Sequence, residues 1–116
     1  MRKKNVLRNQ RDFDSVYRKG KSVPSRHIVV LYRKNRLPYN RIAFLASKKV
    51  GNSVIRHHLT RLIRESYRLH EDMFNSGLDI VVIARAGAKE ATYRQIEKAL
   101  LHLGNLHNIV NCEYEN

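Results

Sequence analysis

The chain has 116 residues, enough for one domain but too few for two independent cores, and its 42% of hydrophobic residues exclude a disordered polyelectrolyte. Its 23 lysines and arginines against 10 acidic side chains give a formal net charge of +13, which disfavours a cationic partner. The single cysteine, Cys112, excludes an intramolecular disulfide and a cysteine-based zinc site.

The chain opens with a predicted basic tail, residues 1–8, and a short helix. Apolar side chains recur there at helical spacing, and a glycine stops the pattern. These positions are Phe13, Val16, Tyr17 and Gly20. The spacing therefore predicts one helix before the first strand.

Two runs rich in β-branched and aromatic residues follow, as expected for strands. They are RHIVVLYRKN, residues 26–35, and RIAFLASKKV, residues 41–50. The sequence between them contributes Asn35, Pro38 and Asn40, which favour turns. The short connection predicts that the two strands pair as an antiparallel hairpin.

The longest predicted element is the second helix. It follows the turn GNS at residues 51–53, keeps a helical period, and ends at NSG, residues 75–77. One side of it carries Ile55, Leu59, Leu62, Ile63, Ser66, Leu69 and Met73. We expect this side to cover the core.

The last part of the chain predicts a strand and a helix. DIVVIAR, residues 79–85, is a continuous apolar run typical of a strand buried on both faces. Residues 86–106 return to helical spacing, and residues 105–116 are expected to fray. The order is α-β-β-α-β-α in one α+β domain over residues 1–116, a sheet covered by helices.

The positive charge is concentrated in one part of the chain. Residues 1–70 hold 19 of the 23 basic side chains and 3 of the 10 acidic ones. A binding surface for a polyanion explains this division better than general solubility does. Nucleic acid is the expected partner, ahead of an anionic membrane.

Basic side chains occupy the side of the second helix opposite its apolar side. An advance of about 100° per residue places His57, Arg61, Arg64 and Arg68 there. Acidic side chains are nearly absent from this face, so the charge is not balanced within the helix. Because arginine makes forked contacts with phosphate, we expect polyanion binding rather than a merely solvated face.

The approach to this helix is also basic. Lys48 and Lys49 end a predicted strand, and Gly51 and Asn52 let the backbone turn closely into the helix N-terminus, a favourable place for anions. Strand end, turn and helix face thus form one continuous basic ridge.

The sequence SKKVGNSVIRHHLTRLIRESYR, residues 47–68, resembles the signature of the bacterial ribonuclease P protein component. The resemblance covers almost the whole chain, including RDFDSVYRKGK at residues 11–21 and DIVVIAR. It departs where Arg56, His57 and His58 replace the usual Arg-Asn-Arg, and where Thr60 replaces a common lysine. The permanent positive charge of the family motif is therefore lost at His58 and Thr60.

No catalytic centre is visible in the sequence. A metal-dependent nuclease needs converging carboxylates or histidines, whereas the i,i+2 spacing of Asp12 and Asp14 directs them apart and Glu65 lies far along the chain. His57 and His58 are adjacent on a helix and also diverge. We expect this chain to provide no catalytic residue and to bind no metal or cofactor.

The resemblance implies that an RNA subunit is the catalyst. That RNA would use Mg²⁺ to hydrolyse a phosphodiester of precursor tRNA and leave a mature 5′ end, with the protein assisting. The resemblance also implies an α/β sandwich like the second domain of ribosomal protein S5, with a left-handed crossover. We expect the protein to be monomeric before assembly.

Two RNA-binding surfaces follow from the resemblance. Contacts with the catalytic RNA are expected from Lys48, Lys49, Asn52, Arg56, Arg61, Arg64 and Arg68. The single-stranded 5′ leader is expected in a cleft between the first helix and the sheet. Phe13, Tyr17 and Tyr32 would stack on its bases, and Lys19, Lys21 and Arg26 would contact phosphates. Alternatively, Phe13 and Tyr17 only anchor their helix on the core.

Other interpretations compete with this one. A different RNA- or DNA-binding protein, such as a ribosomal protein without a role in cleavage, fits the composition equally well, but the ordered motif favours the ribonuclease P family. A membrane-binding helix is disfavoured because its apolar side is needed to cover the sheet. The lone cysteine and the lack of an apolar signal or spanning run predict a soluble cytoplasmic protein.

Overall fold

A computed structural model describes residues 6–106 of the protein, which form three helices and four strands. The helices are α1, Gln10–Lys19; α2, Ser53–His70; and α3, Tyr93–Leu106. The strands are β1, Lys21–Pro24; β2, Ile28–Lys34; β3, Arg41–Ala46; and β4, Leu78–Ala84. The mixed α and β composition is confirmed, but the order α-β-β-β-α-β-α has one strand more than predicted. The sequence KSVP of β1 is short and lacks an alternating pattern, which explains why it was missed.

The predicted antiparallel hairpin of β2 and β3 is wrong. The strand order is β1-β2-β4-β3, so β4 lies between them. β2 pairs antiparallel with both β1 and β4, and β3 pairs parallel with β4. Every residue of β4 except Ile83 is buried, and a strand buried on both faces is best placed in the interior of a sheet. The left-handed crossover and the likeness to ribosomal protein S5 stay predictions.

The sheet separates two layers of helices. Alternation along each strand divides the side chains between its two faces. One face packs on α2 and α3 and supplies the larger core, which includes Ile28, Val30, Ile42, Ile80 and Val82 from the strands and Leu59, Ile63, Ile96 and Leu100 from the helices. The other face is covered by α1, through Val16 with Leu7, Leu31, Ala43 and Val81.

The sheet extends into the segment predicted as a basic tail. Val6 forms a parallel bridge with Ile42, and the Leu7 amide donates to the Ile42 carbonyl over 2.9 Å. Leu7 is buried beneath α1. The remainder of the two predicted ends, residues 1–5 and 107–116 with Cys112, lies outside the described residues.

α2 buries a different set of side chains near its end than its spacing predicts. Leu59 and Ile63 are buried as expected, but Leu69 is 57% exposed and Tyr67 is buried instead. The Tyr67 ring lies 5.8 Å from that of Phe44 and 5.0 Å from that of Phe74, measured between centroids. Burial raises the pKa of Tyr67 to about 12. Tyr67 therefore takes the place predicted for Leu69 in the core near the end of α2.

The end of α1 fits closely against β2. A Cβ atom on Gly20 would lie 2.5 Å from the Val16 carbonyl oxygen and 2.7 Å from that of Tyr32. Only glycine therefore lets the chain leave α1 and enter β1 at this point. The predicted helix stop at Gly20 is confirmed, and the close approach to β2 explains it.

One arginine ties α1 to the sheet. The Arg41 guanidinium donates from Nε and Nη2 to the two carboxylate oxygens of Asp79, over 2.8 and 2.7 Å, and from Nη1 to Asp12 over 2.9 Å. Asp79 is 5% exposed and also accepts from Asn35 over 2.9 Å. The hydrogen bond to Asp79 raises the pKa of Arg41.

Replacement of this arginine should destabilise the fold. We expect Arg41→Met to lower the free energy of unfolding by about 3 kcal/mol, because it leaves the Asp79 charge buried without its partner. Urea denaturation measures the change. Arg94→Met, at an exposed site on α3, is the matched control and should change stability by less than about 0.5 kcal/mol. Equal effects of the two substitutions would show that Arg41 does not stabilise the fold in this way.

Candidate nucleic-acid interface

The approach to α2 is a tightly built turn. Ser47 Oγ accepts from the Lys49 amide over 3.2 Å, and Asn52 Oδ1 caps α2 by accepting from the Ile55 amide over 3.0 Å. Gly51 has φ 153°, and a Cβ atom there would lie 3.0 Å from the Ile55 side chain. The turn leaves Lys48 and Lys49 exposed beside the start of α2. Asn52 therefore has a capping role in addition to its predicted RNA contact.

The basic face of α2 points away from the core, as its spacing predicts. His57, His58, Arg61, Arg64 and Arg68 are all exposed. The Arg64 guanidinium also lies 5.8 Å from the centroid of the Phe44 ring, close enough for a cation–π contact that orients it.

Arg56 differs from the other arginines of α2. It is half-buried, and its Nε atom has no hydrogen-bond partner among residues 6–106. It shares a shallow groove beside β3 with Phe44, Ala46 and Thr60. The Thr60 hydroxyl donates to the His57 carbonyl over 2.8 Å. Arg56 thus flanks the exposed basic face of α2.

The expectation that the charge of this face is not balanced within the helix is wrong at one position. Arg68 donates from Nε and Nη2 to the two oxygens of Glu65, and both side chains are half exposed. The hydrogen bond from Arg68 lowers the pKa of Glu65, and it raises that of Arg68. Arg61 and Arg64 have no ion pair in the part of the chain that the structure describes.

Apolar side chains line one side of the junction between α1 and the sheet, and this surface is called the apolar groove. The rings of Phe13 and Tyr17 are 6.4 Å apart between centroids and inclined by 20°, and Tyr17 is 46% exposed. Phe13, Val29 and Ile83 are half-buried and pack against the smaller core beneath α1. Leu45, opposite Ile83 in the parallel register, is 38% exposed. Phe13 therefore anchors the helix, whereas Tyr17 remains open for contact.

The structure does not bring the other predicted leader contacts to this groove. Tyr32 packs against the core under α2 and α3, on the opposite face of the sheet, and Lys21 is its register partner on β1. Arg26 lies in the β1–β2 loop, where Gly87 approaches so closely that a Cβ atom there would be 2.4 Å from the Arg26 carbonyl oxygen. Lys19 is exposed at the end of α1.

Sequence reasoning missed the sheet side chains of the apolar groove. Val29, Ile83 and Leu45 come from three different strands, so only the pairing of the strands brings them together. One signal was available, since Val29 and Leu31 alternate with Tyr32 along β2 and must face the other way.

The carboxylates of α1 diverge as predicted. Asp12 pairs with Arg41, and Asp14 accepts from Gln10 over 3.0 Å. Within residues 6–106, no three side chains of histidine, cysteine, aspartate or glutamate form a group that could hold a metal ion. None of the helices described has the length and apolar character needed to cross a membrane.

Comparisons with known proteins agree on one family. The family model described as Ribonuclease P matches residues 1–106. The ribonuclease P protein component of Lachnoclostridium phytofermentans is 51% identical over 105 residues, 90% of each chain. That of Alkaliphilus metalliredigens is 50% identical over 103 residues, 89% of this chain and 93% of its own.

Solved structures are similar throughout the fold. The Staphylococcus aureus RNase P protein superposes with a TM-score of 0.83 and 35% identity, over 92% of this chain and 98% of its own. The Thermotoga maritima RNase P protein gives a TM-score of 0.77 and 33% identity, over 84% and 93%.

Release of Arg68 from its acidic partner should strengthen polyanion binding. We expect Glu65→Gln to elute from a heparin column at higher salt, because the substitution removes a negative charge and frees a guanidinium on the α2 face. Glu90→Gln, at an exposed acid outside α2, is the control for the change in net charge. An equal shift for both variants would contradict a localised binding face.

Proposed function

Because the chain belongs to the ribonuclease P protein family, we propose that it assists the catalytic RNA of ribonuclease P in removing the 5′ leader of precursor tRNA. The observation that carries this proposal is the family match over residues 1–106. The chain is a protein subunit of an endoribonuclease whose catalysis is performed by the RNA. Its own contribution is to bind and position RNA.

The basic ridge is the surface proposed for the catalytic RNA. Arg61 and Arg64 support this role because they are exposed and, among the described residues, without an ion pair. Lys48 and Lys49 continue the same charge at the start of α2. Cations at this surface would lower the repulsion between phosphates of a folded RNA, where Mg²⁺ is expected to act. Arg68 is a weaker candidate, since contact with RNA would have to displace Glu65.

The apolar groove beside α1 is the surface proposed for the leader. Tyr17 has an exposed ring that a base can stack on, and Phe13, Val29 and Ile83 form an apolar wall beside it. Stacking contributes about 1–3 kcal/mol per base and tolerates many sequences. Tyr32 has less support, because it packs on the other face of the sheet.

Several finer statements stay part of this proposal. His57 and His58 are exposed and Thr60 is half-buried on the α2 face, so all three lie near the proposed RNA contact. His58 and Thr60 stand where the usual motif has a permanently charged side chain. The monomeric state before assembly and the cytoplasmic location remain predictions.

Reconstitution at low magnesium concentration tests the proposal. We expect 5′-labelled precursor tRNA to be cut at the mature 5′ end when catalytic RNA and this protein are combined, but poorly by the RNA alone and not by the protein alone. The basic side chains of the protein replace part of the charge screening that Mg²⁺ otherwise provides. Gel analysis of the labelled leader measures the cut.

Two other outcomes would contradict the proposal. Cleavage by the protein alone would place a catalytic centre on this chain. Binding of RNA without any increase in cleavage would favour a general RNA-binding protein.

The two surfaces should respond differently to substitution. We expect Arg61→Ala with Arg64→Ala to weaken binding to the catalytic RNA. The slope of log affinity against log salt concentration should become shallower by slightly less than one unit for each lost phosphate contact. Tyr17→Ala should leave that binding intact and reduce the preference for leader-bearing precursor over mature tRNA. Filter binding over a salt series measures both effects.

The α3 variant Arg94→Ala with Lys98→Ala is a matched control, since it removes the same charge from exposed sites outside both surfaces. Circular dichroism checks that each variant folds. If the α2 variant and the Tyr17 variant lose the same property, the model of two separate surfaces is wrong.

A further inference from the structure

α1 has a second groove on the side opposite the aromatic pair. Val16 faces the sheet and is fully buried. At about 100° per residue, Phe13 and Tyr17 lie to one side of Val16, whereas Asp12, Ser15 and Lys19 lie to the other. The sheet side chains beneath the two sides of α1 differ as well. They are apolar on the side of Phe13 and Tyr17 and charged on the side of Asp12 and Ser15.

The second groove is polar and has a volume of about 380 Å³. Its α1 wall is formed by Asp12 and Ser15. The opposite wall comes from the ends of three strands and the β2–β3 loop and contains Arg33, Lys34, Asn35, Arg36, Arg41 and Asp79. Four cations thus surround the groove with only two acids.

Both acids are already used by one of these cations. Arg41 donates twice to Asp79 and once to Asp12, over 2.7–2.9 Å. Arg33, Lys34 and Arg36 make no ion pair with any residue that the structure describes. The groove therefore presents three uncompensated positive charges, and Arg33 is half-buried. This arrangement fits an anionic ligand.

Arg33 and Lys34 end β2, and the β2–β3 loop that carries Arg36 is fixed by hydrogen bonds at its start. Asn35 Oδ1 accepts from the Leu37 backbone amide over 2.7 Å, and the Asn35 backbone amide donates to the Gly77 carbonyl over 2.9 Å. Arg36 has φ 63°, the only positive φ of a non-glycine among residues 6–106. That conformation is costly for an arginine, and a glycine would adopt it more readily. Stability alone therefore does not account for the arginine.

We propose that Arg33, Lys34 and Arg36 form a phosphate-binding site for the single-stranded leader of the RNA substrate, on the side of α1 opposite the apolar groove. The inference rests on the proposed function. One strand would place bases beside Phe13 and Tyr17 and, further along, its phosphates in the polar groove. Lys19, exposed on the same side of α1, adds a fourth cation to this path.

The position of the groove favours the substrate over the catalytic RNA. The basic ridge of α2 lies on the other face of the sheet, since α2 packs on the larger core there. The two grooves, in contrast, are separated only by α1, and a helix with its side chains is about 10 Å wide. A leader that fills the apolar groove needs only a short extension to reach the polar groove.

A comparison of leader lengths in the reconstituted holoenzyme tests this site. The variant is Arg33→Gln with Arg36→Gly, and Arg94→Gln with Lys98→Gln on α3 is the control with equal loss of charge. For precursor tRNA with an extended leader, we expect the variant to bind several-fold more weakly, with a salt slope lower by about 1.4 for two lost contacts. A precursor whose leader is just long enough to fill the apolar groove should bind the variant as it binds the unchanged protein.

A second measurement separates binding from folding. Arg36→Gly alone should keep or raise the unfolding temperature, because it relieves the positive φ. Weaker binding of the extended leader in a protein that is equally or more stable would support the site.

Three results would overturn the inference. They are equal losses in the variant and the α3 control, an equal loss for both leader lengths, and no loss at all. Tyr17→Ala is included in the same assay. If it lowers leader preference while the cation variant does not, only this inference fails; if neither has an effect, the leader part of the proposed function fails too.

Discussion

The guanidinium of Arg41 joins three elements that are distant in sequence. It connects β3 to the buried Asp79 of β4 and to Asp12 of α1 through three charge-assisted hydrogen bonds. The orientation of α1 on the sheet depends on this contact at one end and on the close fit of Gly20 at the other. Both grooves beside α1 inherit their shape from these two constraints. This structural ion pair therefore also shapes the surface proposed to bind RNA.

The sheet keeps the two proposed RNA-binding surfaces apart. α2 carries its exposed arginines on one side of the molecule, and α1 presents aromatic and cationic side chains on the other. A single sheet supports both surfaces, because its strands alternate side chains between the cores on its two faces. The two proposed surfaces would let the small domain contact two RNA molecules without a second domain.

Local spacing was enough to predict the three helices, the burial of β4 and the exposure of Arg61 and Arg64, since each depends on residues close in the chain. The strand pairing was not predictable in the same way. The short β2–β3 connection favours a hairpin, whereas contacts such as Asn35 with Asp79, 44 residues apart, favour β4 as the neighbour. A one-residue difference along β2 also decides which face of the sheet a side chain takes, so Tyr32, predicted in the cleft beside α1, packs on the opposite face.

The central position of β4 has a consequence for how the chain folds. α2 separates β3 from β4 along the chain. The strand that pairs with β3 is therefore the last of the four strands to be synthesised. During synthesis the basic residues 1–70 leave the ribosome before the strand that completes the sheet. Contacts of long sequence separation form slowly. For that interval the most cationic part of the protein is an incompletely folded chain in the presence of ribosomal RNA, where its charge attracts RNA before the specific surfaces exist.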